Sequence, residues 1–296
     1  MGRLGSGGEM RILVIVVLSG AFVTACAPTP VPESEGNSYG TEGLNAVLWV
    51  QTAAEYEAST RQAYALAEMM LDVALADPTW TAVTEQGGTD VFDLPPAVVL
   101  DVDETVLDNS PNQARQVADD RDFATDSWHA WVREEQAEAV PGALEFTQAA
   151  AARGITVFYV TNRRHEVEEP TRRNLAALGF PLDDGIDTIL TRDEQSDWGS
   201  DKGTRRAQVA GTHRVLLQLG DNLGDFVSGV DVDIATRSGL VAEYADYWGR
   251  RWIVLPNPQY GSWDGALIDF NFGLSRADKR ARKLDALETA REEPRE

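Results

Sequence analysis

Four acidic residues follow a short apolar segment near position 100. The apolar residues 97–100 lead directly into Asp101, and Asp103, Glu104 and Asp108 come soon after. On an extended chain, residues two apart point to the same side, which places the carboxylates of Asp101 and Asp103 together. Neighbouring carboxylates raise one another's pKa unless a cation lies between them. The pattern therefore indicates either a solvated turn or a cation site.

Further polar residues stand where other apolar segments end. Thr161 and Asn162 follow one such segment, Asp221 follows another, and Asp225 lies four residues later, on the same face of a helical turn. Lys202 opens the helix before the segment that ends at Asp221. If these segments are strands of one doubly wound sheet, their carboxyl ends bring the side chains together. Several carboxylates with one lysine suit Mg²⁺ and a phosphate, which predicts phosphoryl transfer.

The spacing disfavours two other kinds of metal site. The segment beginning at Asp101 superficially resembles a calcium loop, but its sixth residue is Val106 rather than Gly and its twelfth is Asn112 rather than Glu. The three histidines are scattered, without the short spacing of zinc or iron ligands. They are His129, His165 and His213.

The elements that must position these residues alternate along the chain. The segments typical of strands are residues 97–101, 155–161, 186–191 and 214–221. The segments typical of helices are residues 141–154, 169–179 and 200–211, with one or two more helices between 44 and 76. Apolar strands that alternate with helices are typical of an α/β fold with a buried parallel sheet. The insertion at residues 109–140 is predicted to form a cap over the edge of the sheet.

The N-terminus has the pattern of a bacterial lipoprotein signal. A basic residue and a short apolar run precede residues 23–26, VTAC, which resemble a lipobox except that Val23 replaces the usual Leu. From this lipobox we expect Cys26 to become the acylated first residue of the mature protein. Two or more acyl chains would then give lasting attachment to a membrane. Cys26 is the only cysteine in the chain, so no intramolecular disulfide can form. Residues 1–26 are therefore a predicted signal peptide.

Composition and charge indicate the class of protein and limit its partners. The chain has 296 residues, of which 43% are apolar, and this is typical of a mostly globular protein. Its net charge of −22 disfavours a nucleic acid polymer as a partner, because the phosphate backbone would be repelled. Residues 27–43 are predicted to be a flexible linker, 44–275 the main domain, and 276–296 a charged helix or tail.

The acidic and polar motifs together resemble those of a known family. The sequence from Asp101 to Thr105, followed by Thr161, Lys202 and the segment 220–225, resembles the haloacid dehalogenase (HAD) superfamily of phosphatases. The stretches LDVDETVLDNSP, FYVTNR, GDNLGDF and LPNPQYGSWDGAL look like those of its class C acid phosphatases, the lipoprotein 5′-nucleotidase branch. This resemblance implies a HAD-like Rossmannoid three-layer sandwich with a parallel central sheet, a mainly α-helical cap and N-terminal helices.

The resemblance also implies a role for each matching residue. Asp101 would be the nucleophile that forms an aspartyl-phosphate, and Asp103 would be the general acid and base. Mg²⁺ would be bound by the carboxylates of Asp101 and Asp221 and the backbone carbonyl of Asp103, with Asp225 supporting the site without direct contact. The residues that would hold the phosphoryl oxygens are Thr161, Asn162 and Lys202. Those that would stack on a nucleotide base are Trp128 and Tyr260, whereas Trp131 is expected in the core.

The implied activity is that of a Mg²⁺-dependent acid phosphatase anchored in the cell envelope and acting outside the membrane. Its substrates would be small phosphorylated metabolites, above all nucleoside 5′-monophosphates and nicotinamide mononucleotide. Two alternatives stay open at this stage: a lipoprotein that binds phosphorylated ligands without catalysis, and a phosphotransferase. The sequence also leaves open whether the protein is a monomer or a homodimer.

Overall fold

Five parallel strands form the central sheet of the computed structural model, which describes residues 42–183 and 185–289. The predicted signal peptide, Cys26 and most of the predicted linker lie outside the described residues. In chain order the strands are β1 (Pro96–Leu100), β2 (Leu107–Asp108), β3 (Glu138–Ala139), β4 (Thr156–Arg164), β5 (Ile189–Arg192), β6 (Arg214–Gly220) and β7 (Trp252–Val254). The central sheet has the order β5-β4-β1-β6-β7, and β2 pairs with β3 in a small antiparallel ribbon.

Helices precede, separate and follow these strands. They are α1 (Leu44–Thr52), α2 (Ala54–Ala76), α3 (Ser110–Ala118), α4 (Thr125–Glu134), α5 (Ala143–Ala152), α6 (Glu168–Leu178), α7 (Gly203–Ala210), α8 (Leu223–Phe226), α9 (Ile234–Glu243), α10 (Ser262–Leu267) and α11 (Arg276–Asp285). Within the described part of the chain, no helix is both long and apolar enough to cross a bilayer.

The side chains of β1 alternate between two apolar layers. Val98 and Leu100 belong to the layer that contains buried residues of α2, α5 and α6. Ala97 and Val99 belong to the opposite layer, which contains Val209 of α7. The strand is apolar throughout because both faces of the sheet are covered by helices. The predicted α/β three-layer sandwich with a parallel central sheet is thus confirmed.

The four predicted strands are present, with shifted ends. The second continues past residue 161 to Arg164, because Arg164 still pairs with Arg192 of β5. The third begins at Ile189 rather than at residue 186. β7 was not predicted from the sequence, because its three residues are too few to show a strand pattern.

The insertion after β1 consists mainly of helices. Its ends are joined by the β2–β3 ribbon, in which Leu107 pairs with Ala139, and α3 and α4 lie between these strands. Trp131 of α4 is buried, and its indole N–H donates to Asn109 Oδ1 at 2.8 Å. The core position expected for this tryptophan is confirmed, and the hydrogen bond ties α4 to the residue between β2 and α3.

Candidate active site

The candidate site lies at the carboxyl end of β1, where the strand order reverses. β1 is central, with β4 on one side and β6 on the other. Asp101 follows β1, Asp221 follows β6, and Thr161 lies within β4 near its carboxyl end. Open α/β sheets bind their ligands at such a reversal, because the loops diverge there and leave a crevice.

Three carboxylates and one ammonium form the centre of this site. Asp101, Asp221 and Asp225 each offer a carboxylate oxygen, and these oxygens lie within 4.8 Å of one another. The buried Lys202 donates to Asp225 Oδ1 at 2.7 Å and also to Asp101 Oδ1. The carboxylates therefore outnumber the single ammonium by two, and this excess charge is what a divalent cation would balance.

Burial and mutual repulsion shift the pKa values of the acids in the cluster. Burial raises the pKa of Asp101 to about 7, and the nearby Asp225 and Asp103 reinforce this shift while Lys202 opposes it. Burial, with Asp225 and Asp101 as neighbours, also raises the pKa of Asp221 well above its usual range. Burial alone would lower the pKa of Lys202, but the carboxylates of Asp101 and Asp225 raise it. Without a further cation, the site therefore favours protonation of its acids.

The donor set fits a hard divalent cation. Carboxylate oxygens are the ligands that Mg²⁺ prefers, and the cluster contains no sulfur or imidazole ligand. Asp221 is held in place by the amide of Asn257 at 2.8 Å and by the hydroxyl of Thr105 at 3.3 Å. Asp101 has its Oδ1 bound to Lys202, which leaves Oδ2 for another partner.

Asp225 is held more tightly by its own turn than the other two acids. Its Oδ2 accepts the backbone N–H of Asn222 at 2.8 Å, while the Asn222 side chain caps the start of α8. Its carboxylate also packs against Gly220, where a Cβ atom would lie 2.3 Å from Oδ2. Asp225 therefore orients Lys202 and closes the turn that carries Asp221.

Asp103 is bound by Arg163 and Asn109, two residues that were not predicted from the sequence. Its Oδ1 accepts hydrogen bonds from Arg163 Nε at 2.9 Å and Asn109 Nδ2 at 2.9 Å, and Arg163 Nη2 forms an ion pair with it at 2.8 Å. Asp103 and Asp101 line the same cavity, so the two carboxyl groups face a common space. Arg163 is 60 residues from Asp103 in sequence. The sequence distinguishes it only by its position two residues after Thr161.

Thr161 and Asn162 lie beside the cluster and are oriented by neighbouring arginines. The Thr161 hydroxyl accepts the backbone N–H of Arg163 at 3.0 Å. The Asn162 amide donates to Ser200 O at 3.0 Å and accepts Arg205 Nη2 at 2.7 Å. Arg205 is fully buried and also donates to the carbonyl of Thr161. This second arginine was missed as well, since nothing in its local sequence distinguishes it from other helix residues.

A cavity of about 820 Å³ opens in front of the acids. Its lining includes Lys202 and Asn162 on the sheet side, Trp128 on the cap side and Tyr260 on the loop after β7. Trp128 is partly exposed and lies above Arg163, with 5.5 Å between the guanidinium carbon and the ring centroid. Among the described residues predicted for the site, all line this cavity except Thr161, which is fully buried in β4.

Glu104 supports one wall of this cavity. It has the unusual backbone angle φ +56°, accepts the Asn109 N–H at 2.9 Å, and is hydrogen-bonded by the Tyr260 hydroxyl. Burial, with the added repulsion of Asp103 and Asp221, raises the pKa of Glu104 well above its usual range. Its contact with Tyr260 joins the loop after β1 to the loop after β7, a link that no local pattern predicts.

Comparisons with known proteins agree with this geometry. A family model described as HAD superfamily, subfamily IIIB (acid phosphatase), matches residues 35–263. The solved structure of the class C acid phosphatase from Bacillus anthracis is similar at 35% identity with a TM-score of 0.75, covering 86% of this chain and 100% of that one. A second structure of that Bacillus anthracis protein, with tungstate bound, matches with the same values.

Proposed function

Because the chain belongs to the acid phosphatases of HAD subfamily IIIB, it is a phosphomonoesterase, and we propose that it hydrolyses nucleoside 5′-monophosphates and nicotinamide mononucleotide with Mg²⁺. The observation that carries this proposal is the buried contact of Asp101 with Lys202, beside Asp221 and facing the same cavity as Asp103. This arrangement supplies a nucleophile, a phosphate-binding cation and an acid within one site.

The proposed reaction gives each of these groups one role. Asp101 attacks phosphorus and forms an aspartyl-phosphate while Asp103 gives a proton to the leaving oxygen, and Asp103 then takes a proton from the hydrolytic water. Lys202 and Thr161, with Asn162, bind the phosphoryl oxygens and hold phosphorus in line with Asp101. The carboxylates of Asp101 and Asp221 and the carbonyl of Asp103 would hold Mg²⁺, which would supply charge neutralisation.

The side chains that line the cavity favour a substrate larger than phosphate. Trp128 and Tyr260 line it together with the acids, and aromatic faces stack on any base or pyridine ring. A structure of the similar protein from Bacillus anthracis contains tungstate, a tetrahedral oxyanion like phosphate, and this supports a phosphate ester as the substrate class. Together these features favour an ester with a flat ring over a simple alkyl phosphate.

The same proposal includes the location of the protein at a bacterial membrane. The lipobox-like residues 23–26 support acylation of Cys26 and attachment to a bacterial membrane, with the catalytic domain outside it. An enzyme in that position removes phosphate from nucleotides outside the cell membrane. Labelling with a radioactive fatty acid tests the anchor, because it should label the wild type and leave Cys26→Ala unlabelled.

The catalytic proposal is tested with the chain that lacks residues 1–26. Adenosine monophosphate (AMP), nicotinamide mononucleotide and glycerol phosphate are assayed with Mg²⁺ or with EDTA. We expect hydrolysis of the two nucleotides, loss of activity in EDTA and its return with Mg²⁺. Asp101→Asn should lower kcat by at least about 10³-fold, because an amide cannot form the acyl phosphate. The matched control is Asp72→Asn, at a side chain on α2 that is 73% exposed.

Three results would contradict parts of this proposal. Full activity in Asp101→Asn would exclude the covalent mechanism. Nucleotide binding without hydrolysis would favour a binding lipoprotein. With glycerol added to the AMP assay, glycerol phosphate formed in place of free phosphate would favour a phosphotransferase.

A further inference from the structure

The two carboxylate oxygens of Asp103 have different surroundings. In the part of the chain that the structure describes, the two hydrogen bonds to this side chain, from Arg163 Nε and Asn109 Nδ2, both end on Oδ1, and Arg163 Nη2 forms an ion pair with the same oxygen at 2.8 Å. The donors and the positive charge of Arg163 therefore occupy one oxygen of the carboxyl group. Oδ2 has none of these donors and is the oxygen left for a partner in the cavity.

Arg163 is fixed from several directions. Its side chain is 1% exposed, and its Nη1 donates to Thr171 Oγ1 of α6 at 3.1 Å. Its Nη2 also donates to Asn109 Oδ1 at 3.2 Å, and that oxygen accepts the Trp131 indole N–H. These contacts set the orientation of both the guanidinium and the Asn109 amide. The donors to Asp103 are consequently held in place before any substrate arrives.

The same guanidinium contacts the wall on which a substrate ring would stack. Trp128 covers Arg163 with 5.5 Å between the guanidinium carbon and the ring centroid, within the range of a cation–π contact. Arg163 therefore touches the carboxyl group of Asp103 on one side and the aromatic wall on the other. A planar guanidinium can do this because its donors lie in one plane and its face is free to stack.

We propose that Arg163 is a positioning residue for proton delivery: it binds Oδ1 of Asp103 so that Oδ2 faces the leaving oxygen. The inference rests on the proposed function, in which Asp103 is the acid. In the first step a bond forms between an Asp101 oxygen and phosphorus, the bond from phosphorus to the leaving oxygen breaks, and the proton moves from Oδ2 to that oxygen. In the second step water displaces the aspartyl oxygen and returns a proton to Oδ2.

Two aryl phosphate substrates can distinguish this positioning role of Arg163 from a purely structural role. Phenolate leaves poorly without a proton, whereas 4-nitrophenolate leaves readily without one, and the two substrates otherwise differ by one nitro group. The measurement is the ratio of kcat/KM for phenyl phosphate to kcat/KM for 4-nitrophenyl phosphate, with saturating Mg²⁺. This ratio does not depend on the fraction of folded enzyme, so a partly unfolded variant still gives a valid answer.

Arg163→Met should lower kcat/KM for phenyl phosphate by about 10²-fold, the usual contribution of general acid catalysis, and that for 4-nitrophenyl phosphate much less. Arg163→Lys keeps the charge but not the fork, so its ratio should lie between those of the wild type and Arg163→Met. The control is Arg214→Met, at a buried arginine at the opposite end of β6 that donates to Asp77 O. It should change both substrates equally.

The outcomes distinguish the inference from the function on which it rests. Asp103→Asn should show the same selective loss as Arg163→Met. If Asp103→Asn shows it and Arg163→Met lowers both substrates equally, Arg163 is merely structural and the inference is wrong. If Asp103→Asn leaves the ratio unchanged, Asp103 is not the acid, and the proposed mechanism is wrong together with the inference.

Discussion

Asp101 and Asp103 stand two residues apart, yet they meet different partners. Asp101 is buried and bound by the ammonium of Lys202, a compact charge that also contacts Asp225. Asp103 is 17% exposed in its side chain and bound by the fork of Arg163. Two carboxyl groups in unlike surroundings can take unlike roles, one as nucleophile and one as acid. Residue type and spacing identified the pair, and the proposed roles of nucleophile and acid rest on their different partners.

Trp128 and Tyr260 should determine how strongly the base of a nucleotide contributes to catalysis. In Trp128→Leu and Tyr260→Leu we expect kcat/KM for AMP to fall about 10-fold, since a stacked base contributes roughly 1–3 kcal/mol. Ribose 5-phosphate has the same leaving oxygen and no base, so its kcat/KM should change much less. The measurement is the ratio of the two constants.

The control for the aromatic variants is Phe92→Leu, at a 66% exposed ring outside the cavity lining. It should leave the ratio unchanged. Equal losses for AMP and ribose 5-phosphate in Trp128→Leu would instead mean that the indole acts through Arg163, which it covers.

At the scale of elements, the turn from β6 to α8 allows no side chain at Gly220. A Cβ there would lie 2.3 Å from Asp225 Oδ2 and 2.4 Å from its Cβ, so Gly220→Ala must displace Asp225. Since Asp225 orients Lys202, we expect kcat to fall by at least about 10-fold. The free energy of unfolding should fall by about 1–3 kcal/mol, which is typical of overpacking.

Activity assays and thermal unfolding test the Gly220 prediction. Gly239→Ala is the matched control, because α9 has open space around that glycine and should tolerate or benefit from alanine. Wild-type kcat in Gly220→Ala would show that Asp225 can move without affecting Lys202.

The elements were more predictable from the sequence than the contacts between them. Apolar runs predicted β1, β4, β5 and β6, and the rule for parallel sheets then predicted that Asp101, Thr161 and Asp221 converge. The contact of Arg163 with Asp103 and that of Asn257 with Asp221 join segments far apart in sequence. Such pairs depend on how loops pack, and no periodicity records that packing.

Charge is distributed unevenly over the whole molecule. The chain carries −22, yet α11 is strongly basic. Its cations pair with acids from distant parts of the chain: Arg276 binds Asp120 and Asp122 of the cap, and Arg280 binds Glu42. These pairs neutralise positive charge that could otherwise attract an anionic substrate. The long-range field around the protein is therefore that of an acidic molecule.

This field should oppose the approach of anionic substrates and make catalysis depend on salt. AMP carries a doubly charged phosphate, so its kcat/KM should rise about two- to five-fold when NaCl at ~0.02 M is raised to ~0.2 M, because salt screens charges beyond about 10 Å. Nicotinamide mononucleotide carries the same phosphate and a compensating pyridinium charge, so its kcat/KM should rise less. Both series are measured at saturating Mg²⁺, so that metal binding does not change with salt. A fall in kcat/KM for AMP would mean that the cations inside the site, rather than the net charge of the molecule, govern encounter.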